Sequence, residues 1–440
     1  MRLFFFRHKV RYMPAQKITA PKIIADPIYG VFDVRQVLPM IETPEFQSLG
    51  DKRQLGMNYL VFPSATHSRK AHSLGAYYAT RVLADRWIQS KLITAEEGDA
   101  LSGYALYHDI GHPAFSHVTE ALCDKDNDEL GLEIVKRLRK EIEACGINYE
   151  LLLGMAEHKN PLYLAVHDKN LGMEKLDYLE RDGFYTILSR PPGADYLRKH
   201  IYFVDGNLAI DEKAVDSAIE TQDFYMKMYK NVYLRKAAVI AQRMLQKMVY
   251  KLMEAGEISK DDIVRLTDSE LLGILALSGE KTAKEMYGYL RTRNLYREAI
   301  VIRPEKFTHA GNIAGKNLVV FGIGEKEMAA MMENKHLEPR NQEALENLEK
   351  KIAEAAGLPE TSVLVVPVTH PGRFEAKDIL ILSQNGGLES LKGRYPAHFK
   401  NIEEVAQSYF ALRVCTLEEH RKKLSDRAVA GNVRAILAGS

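Results

Sequence analysis

From residue 38 to about residue 290 the apolar residues recur at helical spacing, broken only by loops at 124–127, 160–161 and 190–193. A stretch that long, patterned at a period near 3.6, can hide its apolar stripes only by packing helix against helix. Thr94-Ala95-Glu96-Glu97 is a capping box, with Thr at the N-cap and Glu three residues on. It opens a helix expected to run to His108-Asp109 and to stop near Gly111 and Pro113. Further helices are expected around 130–143 and 213–255. Ahead of this body, residues 20–35 mix β-branched residues with Asp26-Pro27 and Gly30, which reads as a short hairpin. After about residue 296 the character changes. Short β-branched runs at 299–302, 318–322, 362–368 and 378–383 alternate with helical stretches around 325–334 and 340–356. A last helix is expected over 417–438, with Arg421, Lys422 and Lys423 solvated. The fold class is therefore mainly α: a tail over 1–16, a helical body over 17–295, and a small α+β C-terminal subdomain over 296–440 that carries the terminal helix.

Composition narrows the functions such a chain can serve. The 440 residues carry 60 Lys+Arg against 59 Asp+Glu, a formal net charge of +1, and 46% are hydrophobic. That apolar share fills a core without disulfides. Near-neutrality makes no strong case for nucleic acid, because a binder of polyphosphate strands carries a basic excess; a local basic pocket for a small anion fits better. No run approaches the ~20 apolar residues of a spanning helix, so no membrane is expected as partner. Cys123, Cys145 and Cys415 are few, odd in number and far apart. They match neither zinc nor disulfide spacing, and a reducing cytoplasm is the expected location. The N-terminal apolar stretch Leu3 to Phe6 is too short for a signal-peptide core.

The chemistry concentrates in Tyr107-His108-Asp109-Ile110-Gly111-His112-Pro113-Ala114-Phe115-Ser116-His117. Adjacent imidazole and carboxylate suit a borderline divalent metal that accepts nitrogen and oxygen donors together. Alone, a His-Asp pair is more often the solvated end of a helix. Its surroundings shift that balance. Arg69-Lys70-Ala71-His72 precedes it, and Met173-Glu174-Lys175-Leu176-Asp177-Tyr178 follows, with Glu174, Tyr178 and Arg181 on one helix face. His72, His108, Asp109 and a carboxylate near 174–177 form a candidate divalent-metal site for Mn, Fe, Zn or Mg.

These segments, together with 26–30 (DPIYG), 42–56 (ETPEFQSLGDKRQLG), 62–75 (FPSATHSRKAHSLG) and 174–186 (EKLDYLERDGFYT), resemble the HD-domain phosphohydrolase superfamily. Within it, they are similar to the deoxynucleotide triphosphohydrolases of the sterile-alpha-motif/HD type and their bacterial relatives, over about residues 20–260. The resemblance implies a helical HD-domain body. It places His72, His108 and Asp109 on metal-ligand positions and Glu174 where the fourth ligand, an Asp, normally stands, with Asp177 the fallback. It implies a catalytic role for His112, a second pocket histidine in His117, and Glu120 as the acid that orients the catalytic histidine. Arg69 falls on a phosphate contact, Gln54 on a residue facing the sugar, and Tyr178 and Asp182 near sugar and phosphate. The expected activity is metal-dependent hydrolysis of a deoxynucleoside triphosphate to deoxynucleoside and triphosphate. The other readings are an HD phosphohydrolase for a monophosphate, cyclic dinucleotide or guanosine alarmone, and an inactive nucleotide-sensing protein. A homo-oligomer is also implied by the resemblance.

Several positions depart from that pattern. Asp128 stands where a further family histidine falls, and Asn231, Val239 and Ile240 where nucleotide-contacting polar residues fall. Glu42 and Gly50 replace the guanine-reading pair of animal members. Other signals are weaker. Gly311-Asn312-Ile313-Ala314-Gly315-Lys316-Asn317 has the wrong spacing for a P-loop, and Gly322-Ile323-Gly324 reads as a turn. His67 is as expected in the core as in the pocket; His158, His167 and His200 read as structural. Tyr225, Met228 and Tyr229 at helical spacing read as core.

Overall fold

The computed structural model describes residues 20–308, 311–313, 315–368, 377–383 and 385–439. The expected tail over 1–16, and Ala314 of the glycine-rich run, lie outside them. Among the described residues there are 22 α-helices and three small sheets, so the chain is mainly α. No helix among them is long and apolar enough to cross a membrane.

The hairpin expected over 20–35 forms as β1 (Ile23–Asp26) and β2 (Gly30–Asp33), turning through Gly30 at φ +79°. Its turn is stitched by Asp26, whose Oδ1 accepts the N–H groups of Ile28 and Tyr29. The body is built on two long helices that pack against each other, Arg69–Gln89 and Ala95–Tyr107. Ser68 caps the first by accepting from Ala71 N–H, and the Thr94–Glu97 capping box starts the second. Small residues are buried on both helices (Ala76, Ala79, Ala84, Ala100 and Ala105), and a Cβ on Gly98 would meet Ile88 and Ala84 of the first. The Met173–Ile187 helix packs across the first, which places residues 69–72, 108–117 and 174–182 around one point. Gly75 permits that crossing: a Cβ there would lie 2.1 Å from both the Arg181 guanidinium and the Asp177 carboxylate.

The structure departs from the sequence expectation inside the body. Strands β3 (Ile201–Val204) and β4 (Asn207–Asp211) form a second hairpin where the pattern read as continuously helical. The helix expected over 213–255 is two helices, Val215–Met228 and Lys236–Glu254, separated by a π-helical turn at Tyr229–Tyr233. The helix expected over 130–143 starts at Asn127 and breaks at Leu138.

The remaining strands are β5 (Arg297–Pro304), β6 (Gly311–Ile313), β7 (Leu318–Ile323), β8 (Val363–Val366), β9 (Leu380–Leu382), β10 (Leu388–Ser390) and β11 (Leu412–Thr416). Five of them form a mixed sheet in the order β6-β7-β5-β11-β8, with β5 and β7 parallel. Its apolar faces are covered on one side by Gln342–Ala356 and Arg427–Gly439, and on the other by Lys236–Glu254. Buried Glu349 fixes this contact. It accepts from Arg243 Nη2 at 3.1 Å, Lys247 Nζ at 2.6 Å and the Val365 N–H at 2.9 Å. Strands β9 and β10 leave that sheet and extend the β3–β4 hairpin, β9 running parallel to β4. The terminal helix expected over 417–438 is two, Glu418–Leu424 and Arg427–Gly439. Arg421 is not solvated as expected: it donates to Glu298 O and Lys316 O and pairs with Glu418.

Candidate functional site

His72 sits in the first turn of its helix and His108 at the C-cap of the next, so the crossing brings their rings to 5.0 Å, edge to face. Both Nδ1 atoms are engaged: His72 with Asp177 Oδ2 at 2.6 Å, and His108 with the Ala105 carbonyl at 2.7 Å. A carbonyl only accepts, so His108 carries its proton on Nδ1, and the carboxylate imposes the same tautomer on His72. Their Nε2 lone pairs therefore face one another at 3.2 Å. Asp109 completes the group, with Oδ2 3.7 Å from His72 Nε2 and Oδ1 3.5 Å from His108 Nε2. All three are buried, and their donor atoms fall within 4.8 Å of one another. Two imidazoles fixed as Nε2 donors beside a carboxylate fit a divalent cation.

Asp177 is not arranged as a ligand. It accepts from His72 and, through both oxygens, from Arg181 Nε at 3.0 Å and Nη2 at 2.8 Å; Arg181 Nη1 reaches Asp26 Oδ2 at 2.7 Å. Burial opposes the charge on Asp177, but Arg181 and the His72 bond hold its carboxyl well below the usual range. Arg181 thus turns away from the pocket, although spacing put it on the face of Glu174 and Tyr178. Glu174 lines the pocket, and its Oε2 pairs with His167 Nδ1 at 2.8 Å. Against the opposing effect of burial, that contact lowers Glu174 to about 2 and raises His167 to about 9. His167 was read from sequence as structural. It lines the pocket, and its ring is 5.7 Å from that of His108. No motif marks it, because only the chain crossing brings it to Glu174. Asp128 faces the same His167 and Glu174 from the Asn127–Arg137 helix, where burial raises its carboxyl.

Arg69 is buried beside the His72–His108–Asp109 group, donating Nη1–H to Asp109 Oδ2 at 2.6 Å and Nε–H to Ser116 Oγ. Burial and then Arg69 push His112 well below the usual imidazole range, so its ring is neutral near pH 7. His112 Nδ1 faces Asp109, while its Nε2 is buried without a protein partner. Glu120 was expected to orient His112, and its carboxylate reaches the neighbouring His117. Its Oε2 pairs with His117 Nδ1 at 2.7 Å, and the half-exposed His117 ring stands edge-on to His112 at 5.1 Å. One turn separates 117 from 120 on a helix, which brings their side chains together.

These groups floor a cavity of about 660 Å³. Gln54, Tyr178 and Asp182 line it, as do Lys169 and Lys175. Gln54 Oε1 is buried and unpartnered, a vacancy a ligand donor would fill. Asp182 is held by His67 Nε2 at 2.8 Å and the Tyr233 hydroxyl at 2.8 Å, so His67 supports the pocket from behind. The tyrosine wall corrects the sequence reading: Tyr225 and Tyr229 are pocket residues, and with Tyr233 they form an edge-to-face ladder at 4.8 and 5.1 Å. Met228 is core. Of the three positions expected at the base end, Val239 lines the cavity and Ile240 is buried behind it.

The HD domain family matches residues 69–182 and the HD-associated region 194–333, together more than half of the chain. The sequence is 26% identical over 285 residues to an uncharacterized protein of Methanocaldococcus jannaschii, covering 63% of this chain and 59% of that one. It is 25% identical over 345 residues to the deoxynucleoside triphosphate triphosphohydrolase SAMHD1 homolog of Dictyostelium discoideum, covering 71% and 67%. The human SAMHD1 enzyme is 27% identical over 345 residues, 63% of this chain and 54% of that one. The matched region thus spans between about half and two thirds of these relatives' lengths. A crystallised phosphohydrolase from Bacteroides thetaiotaomicron superposes with a TM-score of 0.67 at 22% identity, over 90% of this chain and all of that one, a likeness of fold. With both family regions matched in order, and the His72–His108–Asp109 group inside the first, the chain is a member of the HD-domain phosphohydrolase superfamily.

Proposed function

We propose that this protein is a metal-dependent nucleotide phosphohydrolase that cleaves a deoxynucleoside triphosphate to deoxynucleoside and triphosphate. The observation that carries this reading is the content of one cavity: the donors His72, Asp109 and Glu174 with Arg69, two lysines, Lys169 and Lys175, and a wall of Tyr225, Tyr229 and Tyr233, with Lys175 Nζ 3.5 Å over the Tyr225 ring. Cationic and metal-binding groups beside aromatic rings match a molecule that joins phosphates to a planar base. His72, His108 and Asp109 would hold the cation, with Glu174 the fourth ligand. A bound divalent cation lowers the pKa of water and polarises a phosphoryl oxygen.

The protein's own groups supply the rest. Neutral His112 accepts a proton through its unpartnered Nε2. His117, oriented by Glu120, stands next to it as the group through which that proton reaches solvent. Arg69 presents a fixed guanidinium to charge that grows in the transition state. Gln54, Tyr178 and Asp182 face the sugar. Stacking on the Tyr225–Tyr229–Tyr233 wall needs no base-specific hydrogen bond, so discrimination among bases is weak.

Three further points belong to the same proposal. The cell compartment is the cytoplasm, the assembly is a homo-oligomer, and the chain divides near residue 295. Light scattering tests the assembly, and metal analysis of the purified protein with a product screen over deoxynucleoside triphosphates, monophosphates, cyclic dinucleotides and guanosine alarmones tests the reaction. Release of triphosphate from deoxynucleoside triphosphates alone is the expected result. Hydrolysis confined to another class would move the substrate, and metal retention without hydrolysis would favour the sensing role.

A further inference from the structure

The turn that carries His112, Ser116 and His117 is held in a backbone conformation its own residues disfavour. Phe115 and Ser116 are consecutive non-glycine residues at φ +56° and +52°, and Ser116 has ψ −126°, a combination natural to glycine. Strain of this kind persists only when the surroundings over-determine it. Phe115 is fully buried among Met57, Met244 and Met248, and that anchors one side of the turn. The other side is held by two buried charges that do not line the cavity.

Lys52 Nζ donates to the His112 carbonyl at 2.6 Å and to Val264 O at 3.4 Å. Its own carbonyl accepts the Arg69 N–H at 2.8 Å. Asp268 Oδ1 accepts the Phe115 N–H at 2.6 Å, and its Oδ2 the Arg53 N–H at 2.9 Å. Ala114 N–H donates to Ile263 O at 3.2 Å. Three segments distant in sequence, 51–53, 112–116 and 263–268, are thereby tied together behind the site.

We propose that Lys52 and Asp268 are positioning residues that hold the strained 112–117 turn, so that His112 and Ser116 face Arg69 and the metal group. A charged donor and a charged acceptor, each bonded to backbone, fix where the turn lies without entering the cavity. Lys52 is central because its main chain starts the Arg69 helix while its side chain fixes the His112 carbonyl, so one residue sets the distance between phosphate contact and proton acceptor. This rests on the phosphohydrolase reading for its kinetic consequence, but not for its structural one.

The test compares Lys52→Met, Asp268→Asn and Asp268→Ala with wild type by hydrogen exchange, metal content and kinetics. Lys52→Met keeps length and burial but loses the donor. Its expected signature is faster exchange of the 114–119 amides, unchanged exchange in the Arg69–Gln89 and Ala95–Tyr107 helices, and unchanged metal content. Turnover should fall about 100-fold with KM within about threefold, because a displacement near 1 Å costs that much without removing a ligand contact. Asp268→Asn keeps one acceptor and should fall between wild type and Asp268→Ala. Unchanged exchange at 114–119 overturns the proposal. So does exchange that rises throughout the body with parallel loss of metal, which marks a general stability role. A wild type that hydrolyses no nucleotide defeats the functional reading alone, and the exchange data still decide the positioning role.

Discussion

Replacing Asp177 by Asn asks whether this residue orients His72 or binds metal. The carboxylate accepts three hydrogen bonds, one from His72 Nδ1 and two from Arg181, and has no exposed surface. An amide of the same shape offers one acceptor and one donor group. With its oxygen toward His72, the tautomer survives, but the NH₂ meets the Arg181 guanidinium, two donors face to face. With its NH₂ toward His72, the imidazole must accept at Nδ1 and carry its proton on Nε2, which removes a metal donor. Removing one partner of a buried pair costs about 3–5 kcal/mol. Arg181 keeps Asp26 at 2.7 Å, so the lower end, about 3 kcal/mol, is expected. Loss of the group that orients a ligating histidine weakens metal affinity by about 10–100-fold. The assay is metal retention against a chelator series beside urea unfolding of the metal-free protein. Asp177→Asn with native stability and native metal affinity would refute the reasoning. Complete loss of metal at unchanged metal-free stability would make Asp177 a ligand and displace Glu174.

Arg69→Ala should lower kcat/KM by about 30- to 1,000-fold on every nucleotide, equivalent to about 2–4 kcal/mol, while the four deoxynucleoside triphosphates stay within about two orders of magnitude of each other. Nucleotide-panel kinetics check it, and strict selectivity for one base or full activity without Arg69 would contradict it. Glu174→Ala should abolish metal occupancy, while Glu174→Asp, shorter by one methylene, should keep it at the expense of the His167 contact; metal analysis of both decides the ligand. The Glu174–His167 pair also sets a pH dependence in metal-free protein. His167 is raised from 6.5 to about 9, so its contribution is whole below about 6.5 and lost as pH rises through 9. Glu174 is lowered from 4.5 to about 2, so its contribution is whole above about 4.5 and lost as pH falls towards 2. The urea midpoint should therefore drop between pH 6 and 9.5 in wild type more than in His167→Gln; equal drops would refute the pairing. Glu349→Gln leaves Arg243 and Lys247 buried beside a neutral group and should destabilise by about 3–5 kcal/mol, measured by urea unfolding.

What local pattern specifies was legible in the chain itself. Thr94 and Glu97 start a helix wherever it packs, because a capping box closes within four residues. The β1–β2 hairpin turns on Asp26 and Gly30 in the same way. His72, His108 and Asp109 could be named because each sits in a recognisable short motif at a helix end. Strands β3, β4 and β11 could not, since a run such as Leu412-Arg413-Val414-Cys415-Thr416 is too short to separate strand from helix, and its pairing with β5 and β8 spans residues far away in sequence. The π-helical turn that aims Tyr229 and Tyr233 at the cavity likewise has no period of its own in the sequence. Partner choice lay furthest out of reach. Glu120 pairs with His117 because they share a helical turn, and His167 reaches Glu174 because two chain segments cross there. Spacing fixes which residues share a face; which carboxylate meets which imidazole is fixed by distances of a few ångströms that exist only once the helices have packed.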